Sequence, residues 1–480
     1  MNNAKIETYL GQKGYTIHKS DVTIEQQQKI KTDLNIRPFI PGAPCGATNQ
    51  HTFPAYREST NKLYVPHYYG VEQFGPPKEY KISEGTNIDL EFVGKLRENQ
   101  EVVVNTYVNH VEKVGFGGGL LELPCAYGKT VLALNIISQL QKKAFIIVHK
   151  EFLMNQWIER IQQFLPNARI GKIQGQIVDI DDKDIVIGML QSLSMKEYPP
   201  SIFNSFGLTI IDEVHHISSE VFSNSLFKLV TKYMLGLSAT MNRKDGTTKV
   251  FKMFLGNVIF KGKRDDIREV TVRAIDYFVN DEEFNREATD YRGNPAYSTM
   301  ISKLCEYNRR SEFILKIITD MLVENPSQQI MILAHNKNVL KYLHDAISHR
   351  NIASVGYYIG GMKEAALKLT ESKKIVIATY SMAAEALDIK TLTTLIMATP
   401  KTDIEQSVGR ILREKHSNPI VVDIIDSHSI FKNQWKKRRT FYNKENYKII
   451  RTSNTKYNTD VNSDDWEVDT KSNKKAKCMI

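Results

Sequence analysis

The feature that most constrains the fold is an alternation that occurs twice. Short, largely apolar segments at 120–123, 144–149, 184–189 and 208–211 are separated by longer amphipathic stretches. Apolar runs of this length suit strands buried on both faces, and the stretches between them are long enough for crossover helices. A parallel sheet flanked by helices is therefore expected. A second series follows at 330–334, 354–359, 374–379, 394–398 and 419–425. The chain thus reads as two tandem α/β lobes without obvious sequence repetition.

The flanks differ. Pro38, Pro41, Pro44, Pro54, Pro66, Pro76 and Pro77 punctuate the first 92 residues. Long helices are disfavoured there after residue 37, and apolar pieces such as Lys62-Leu63-Tyr64-Val65-Pro66 suggest a small accessory domain with some strand. The expected division is an accessory domain at 1–92, a first lobe at 93–262, a charged linker or insertion at 263–300, a second lobe at 301–439 and a flexible basic tail at 440–480. The tail is polar, with Trp466 its one bulky core candidate, and a composition of that kind favours disorder.

Composition narrows the class. Of 480 residues, 41% are hydrophobic and 25% charged, as in ordinary globular proteins. No apolar run approaches the roughly 20 residues that span a bilayer, and the polar start lacks a signal core. An intracellular protein without membrane partners is expected. Cys45, Cys125, Cys305 and Cys478 lie far apart with no CxxC pair, which argues against a zinc ribbon or disulfide scaffold. The net charge of +10 admits a polyanionic partner.

Chemistry first appears at Leu121-Glu122-Leu123-Pro124-Cys125-Ala126-Tyr127-Gly128-Lys129-Thr130. A strand enters a tight loop and a helix follows. Backbone N–H groups in such a loop cradle phosphates, with Lys129 reaching the β- and γ-phosphates and Thr130 ligating Mg²⁺. Leu123 stands where the first glycine of that loop pattern belongs, so Gly128-Lys129-Thr130 alone is equally compatible with an ordinary helix start. Gly115-Phe116-Gly117-Gly118-Gly119 precedes the strand and reads as a flexible connector. The segment Leu208-Thr209-Ile210-Ile211 then ends in Asp212-Glu213-Val214-His215-His216. A carboxylate there can hold Mg²⁺ through water, with Glu213 orienting the attacking water. Beside the lysine loop, this outweighs a capping pair. His215 and His216 do not form a HExxH zinc pattern.

At this point the sequence resembles superfamily 2 of the helicases, over about residues 93–435. Asp212-Glu213-Val214-His215 resembles motif II of the DExH branch. Leu96-Arg97-Glu98-Asn99-Gln100 resembles the upstream element whose glutamine contacts adenine. Ser238-Ala239-Thr240 resembles motif III, 377–388 motif V with Asp388, and Gln406-Ser407-Val408-Gly409-Arg410-Ile411-Leu412-Arg413 motif VI. The resemblance implies two RecA-like lobes, ATP and Mg²⁺ as cofactors, and a monomeric motor. It also implies Arg410 and Arg413 as arginine fingers, worth about 10³–10⁵ in rate. Met241-Asn242-Arg243-Lys244-Asp245-Gly246 resembles the XPB-like branch, and the likeness extends to DNA helicases of large cytoplasmic DNA viruses, including the poxvirus transcript-release type. That branch implies DNA or a DNA–RNA hybrid as partner, transcription or replication proteins alongside, and a host cytoplasm or virion location. Ala126 and Ala386 replace glycines of the family loops. They keep open a non-catalytic nucleic-acid-binding accessory protein, and an RNA-specific DExH helicase is a further alternative.

The resemblance places a bound strand near His149, Lys150, Gln191, Ser192, Arg243, His335, Asn336 and Thr379. Such residues suit phosphate and sugar contacts, and equally ordinary loop capping. Eight cations against the single acid Glu445 fill residues 432–451, interleaved with Trp435, Phe441, Tyr442 and Tyr447. That run is either a strand-binding surface or an amphipathic helix packed on the second lobe.

Overall fold

The computed structural model describes residues 7–39, 52–124, 127–216, 219–241, 243, 245–262, 269–291, 293–385, 387, 389–413, 416 and 418–469. The chain divides into two compact units, Met1–Arg264 and Asp265–Ile480.

The first unit holds an eight-stranded sheet in the spatial order Ile177–Asp179, Ile170–Gln174, Ile185–Met189, Ala144–Val148, Leu208–Ile211, Tyr233–Ser238, Gly117–Glu122 and Val258–Lys261. Every pairing is parallel except that of the Ile177–Asp179 edge strand. Strand alternation sorts the core. Leu120, Phe145, Ile147 and Ile211 face one cluster, while Leu121, Ile146, Val148 and Ile210 face the other. The second face is covered by the helices Glu98–Val114, Lys129–Leu140 and Glu151–Phe164, through residues such as Tyr107, Ile136 and Trp157.

Residues before 92 build a five-stranded sheet ordered Arg57–Glu58, Lys62–Val65, Gly14–His18, Thr8–Gly11, Glu79–Tyr80. Gly14, at φ +96°, closes the hairpin at Gly11. The helix Ile24–Asp33 starts from a Thr23–Gln26 capping box. This module is not detached. Leu10, Tyr15, Ile17 and Val65 share one apolar cluster with Leu120, Phe254 and Leu255 of the parallel-sheet body.

The glycine run corrects the sequence reading. Gly117, Gly118 and Gly119 open a central strand rather than a connector. A Cβ on Gly118 would lie 2.6 Å from the Met234 carbonyl oxygen, and one on Gly119 1.8 Å from Ile259 Cδ1. Close approach of neighbouring layers excludes side chains there, so the glycines serve packing.

The second unit repeats the design: Val355–Tyr358, Ile375–Thr379, Gln329–Ala334, Leu392–Met397, Ile420–Asp426, Thr271–Tyr277, Lys448–Ser453 and Glu467–Val468. Only the last pairs antiparallel. Two expectations change here. The segment 263–300 was expected to be a linker, yet Thr271–Tyr277 is an inner strand. Its charges hid it, and they are paired: Arg273 binds Glu324 at 2.5 and 2.7 Å, and Asp276 binds Arg451 at 2.7 and 2.8 Å. The expected flexible tail from 440 is ordered through Asp469. The helix Ser429–Lys444 continues into the strand Lys448–Ser453, and Tyr457 and Trp466 join the core. Buried Arg438 lies on Asp423 at 2.7 and 2.8 Å, beside the Tyr442 hydroxyl, which donates to the same carboxylate.

Candidate nucleotide site and strand-contact residues

In a parallel sheet all carboxyl ends of strands share one rim, where loops can converge. In the first unit Tyr233–Ser238 lies between Gly117–Glu122 and Leu208–Ile211. The phosphate loop, Asp212-Glu213 and Ser238-Ala239-Thr240 therefore emerge side by side.

Gly128, at φ +91°, is the N-cap of the helix Lys129–Leu140. The left-handed backbone favours glycine there, and a Cβ would lie 2.5 Å from Gln100 Nε2 and displace that side chain. Buried Gln100, expected to contact adenine, is engaged within the chain. Its Nε2 donates to the Tyr127 carbonyl at 2.8 Å and its Oε1 accepts from the Arg97 N–H at 3.0 Å. Arg97 Nη2 donates to the same carbonyl at 2.6 Å. Both residues brace the loop, a role for Arg97 that the motif alone did not reveal. Tyr127 N–H donates to the Pro124 carbonyl at 3.2 Å. Thr130 is half-buried on the first turn of the helix. Cys125 and Ala126 lie outside the described residues.

Lys129 Nζ meets Glu213 Oε1 at 2.5 Å. Asp212 is buried; Trp157 Nε1 donates to its Oδ2 at 2.9 Å and the Glu213 N–H to its Oδ1 at 2.9 Å. Burial, reinforced by the neighbouring Glu213 charge, pushes Asp212 up to about 6. Glu213 has φ +48°, a left-handed conformation that costs a glutamate energy and is held by its surroundings. His215 Nδ1 lies 3.4 Å from Glu213 Oε2 and 2.6 Å from Ser238 Oγ. Burial brings His215 down to about 4, so its ring is neutral at pH 7. Ser238 Oγ donates to the Thr240 carbonyl at 2.5 Å, and Ala239 is buried between them. Hydrogen bonds thus link Lys129 to Glu213 and His215 to the segment resembling motif III, with the neutral His215 ring 3.4 Å from the Glu213 carboxylate. The motif resemblance includes His215 but does not indicate its bond to Ser238 Oγ.

The donor set fits a magnesium nucleotide: one lysine and one hydroxyl at a helix N-terminus, and one buried carboxylate at the end of the strand Leu208–Ile211. Among the described residues, no group of three or more His, Cys, Asp and Glu could hold a metal by itself. A Mg²⁺ at Thr130 and Asp212 would therefore complete its shell with phosphate oxygens and water.

Arg243, an expected strand contact, has internal partners. It forks onto Asp245 at 2.9, 3.1 and 2.5 Å and donates Nη1 to the His215 carbonyl at 2.7 Å. These bonds turn the guanidinium inward, to tie the Asp-Glu loop to the segment after Thr240.

In the second unit, Gln406 lies on Glu405–Gly409 and Arg410 opens the following 3-10 turn. Arg410 Nη1 and Arg413 Nη2 both donate to the Leu387 carbonyl, at 2.8 and 3.3 Å. Val408, Ile411 and Leu412 anchor this element by burial. Asp388 lies outside the described residues.

The other strand-contact candidates sit near carboxyl ends of strands. His149 and Lys150 follow Ala144–Val148, and Lys150 occupies the N-cap position of the helix Glu151–Phe164 without a side-chain capping bond. Exposed Gln191 and half-buried Ser192 follow Ile185–Met189, with Ser192 Oγ accepting from the Gly175 N–H at 3.0 Å. In the second unit His335 and Thr379 end neighbouring strands paired through Ala334 and Thr379. His335 Nδ1 lies 2.9 Å from Thr399 Oγ1, while Asn336 caps the helix Lys337–His349 by accepting from the Asn338 N–H at 2.8 Å. Capping thus accounts for part of this set. Among the described residues no helix is long and apolar enough to cross a membrane.

Residues 94–243 match the family described as type III restriction enzyme, res subunit. A candidate ATP-dependent RNA helicase of Acanthamoeba polyphaga mimivirus is 35% identical over 457 residues, covering 92% of this chain and 86% of that protein. A candidate ATP-dependent RNA helicase of African swine fever virus is 28% identical over 372 residues, covering 70% of this chain and 71% of its own. The Pyrococcus furiosus Hef helicase domain superposes with a TM-score of 0.46 at 13% identity, over 72% of this chain and 98% of that one. With this sequence likeness running through nearly its whole length, the chain belongs to the superfamily 2 helicases found in large DNA viruses.

Proposed function

We propose that the protein is a nucleic-acid-stimulated ATPase that moves along DNA and separates strands or displaces RNA from DNA, in viral transcript release or genome replication and repair. One observation carries the catalytic part. Lys129, Asp212, Glu213, His215 and Ser238 converge on one sheet rim with a buried carboxylate, a strained glutamate and a neutral histidine.

In this reading Lys129 leaves Glu213 for the phosphates, which frees the Glu213 carboxylate to orient the attacking water. Mg²⁺, held through Asp212 and Thr130, would neutralise phosphate charge. His215 reports the state of Glu213 to Ser238 and Thr240. Arg410 and Arg413 supply the transition-state cations with Gln406 beside them in the catalytic set, and Ser238, Ala239, Thr240 and Asp388 serve coupling. His149, Lys150, Gln191, Ser192, His335, Asn336 and Thr379 hold the strand through its backbone, without reading bases.

A second reading, an RNA-specific motor, is favoured by the names of the mimivirus and African swine fever virus relatives. ATP turnover measured without nucleic acid, with single- and double-stranded DNA and with RNA separates the two. Stimulation by DNA that disappears in Glu213→Gln supports the first. Stimulation by RNA alone replaces it with the second, and turnover indifferent to every nucleic acid sinks both.

A further inference from the structure

The helix Ser429–Lys444 buries Phe431, Trp435, Arg438 and Tyr442. These residues recur every three or four positions and so form a single inward stripe. The run that seemed to interleave cations with aromatics is thus sorted by the helix: Trp435 and Tyr442 go inward, and no ring of the run is left fully exposed. Arg438 is consumed by Asp423, and Arg439 by Asp469 at 2.6 and 2.5 Å.

What remains outward is almost purely lysine. Lys432, Lys436, Lys437 and Lys444 are exposed, with Asn433 and Thr440 between them. Among the described residues none of these lysines makes an ion pair; Lys436 only donates to Asn433 Oδ1 at 3.3 Å. The acids at the two ends are Glu287, which accepts the Ser429 hydroxyl at 2.8 Å near Lys432, and Glu445. Lys436, Lys437 and Lys444 are the uncompensated part. At 1.5 Å rise per residue the row from Lys432 to Lys444 is about 18 Å long. Clustered like charges repel, and the fold tolerates them because water screens them. A ligand carrying a row of anions gains by replacing that screen.

We infer that this lysine face is an accessory site for a nucleic-acid phosphate backbone, outside the strand contacts proposed above. The inference rests on the reading of the chain as a nucleic-acid motor. Lysines without exposed aromatics bind phosphates as point charges and offer bases nothing to stack on. The site is therefore indifferent to sequence and accepts duplex flanking the translocated strand. Its work is to keep the motor on its track between turnovers.

Counterion release supplies the test. Each phosphate neutralised steepens the fall of log affinity with log salt by about 0.9 for duplex and about 0.7 for single strands. In the full chain, Lys436→Gln/Lys437→Gln/Lys444→Gln should make that slope shallower by about 2.7, for three phosphates, measured by fluorescence anisotropy on flanked duplex. Nucleotide affinity and turnover without nucleic acid should stay at wild-type level. The corresponding triple arginine variant should restore the slope. An unchanged slope in the glutamine variant overturns the inference. So does a slope lost equally in the arginine variant, which would reveal a packing role, or a loss confined to anionic phosphatidylserine vesicles. Wild-type protein that binds no nucleic acid at all would instead defeat the motor reading itself.

Discussion

Lys129 and Glu213 form a 2.5 Å ion pair across the rim of the first sheet, joining the residue suited to phosphate to the residue suited to water. In the proposed reading each occupies the other until a nucleotide intervenes. Their substitutions should therefore separate. Lys129→Ala should weaken nucleotide binding and abolish turnover. Glu213→Gln keeps a hydrogen-bonding group for Lys129 but loses the base, so binding should persist while turnover drops by about 10²–10⁴. Equilibrium binding of a fluorescent ATP analogue, read beside phosphate release, distinguishes them. Equal loss of binding in both variants would contradict the division of roles.

Asp212 predicts a pH dependence with a definite sign. Its folded-state value is raised from 3.8 to about 6 by burial. The stabilising contribution of this group is therefore full below about 4 and is lost as pH rises through about 6. Magnesium nucleotide requires the opposite, ionised form. Between pH 4 and 6 binding should release a fraction of a proton that falls to about one half at pH 6, and affinity should weaken as pH falls. Calorimetry at pH 5.5 in buffers of different ionisation enthalpy measures that proton. Asp212→Asn should bind weakly and without it; the same proton release in this variant would assign the linkage elsewhere.

The glycines of the first strand are expected to differ in cost. Gly118 faces backbone, with carbonyl oxygens of Met234 and Leu255 at 2.6 and 2.9 Å from a built Cβ. Gly119 faces only the Ile259 side chain. Gly118→Ala should destabilise by about 1–3 kcal/mol or more, the range for overpacking a filled core. Gly119→Ala should cost less, and Ile259→Ala should relieve it but leave Gly118→Ala unrelieved. Denaturant midpoints of the two double variants decide this, and rescue of both would mean the strand shifts as a body.

What the sequence disclosed follows from the same physics. The strands at 144–148, 208–211, 330–334 and 375–379 are buried on both faces, so apolar runs betrayed them. The charged site residues were legible because their chemistry ties lysine, aspartate and glutamate to fixed loop positions. Three things escaped. Gly117-Gly118-Gly119 looks like a connector because its reason is tertiary crowding. Thr271–Tyr277 looks like a linker because Arg273 and Asp276 find partners at Glu324 and Arg451, far away in sequence. His215 and Arg243 bond to groups that no local pattern links to them, namely Ser238 Oγ and the His215 carbonyl.

The segment after the basic helix should be structural, contrary to its polar composition. Lys448–Ser453 adds a strand beside Thr271–Tyr277, while Tyr457 and Trp466 close the core and Asp469 holds Arg439. Ending the chain after Lys444 uncovers that edge and removes three buried aromatics, Tyr447, Tyr457 and Trp466, each worth about 3–5 kcal/mol when truncated. Such a chain should lose the cooperative unfolding of its second unit or aggregate. Ending it after Asp469 should retain that cooperative unfolding, because Tyr457 and Trp466 and the Arg439–Asp469 pair are all kept. Arg438→Met offers an independent check, because stranding Asp423 without its partner should cost about 3–5 kcal/mol. Thermal unfolding of the three proteins measures all of this. Equal stability of the two truncated chains would return the region after Lys444 to the status of a tail.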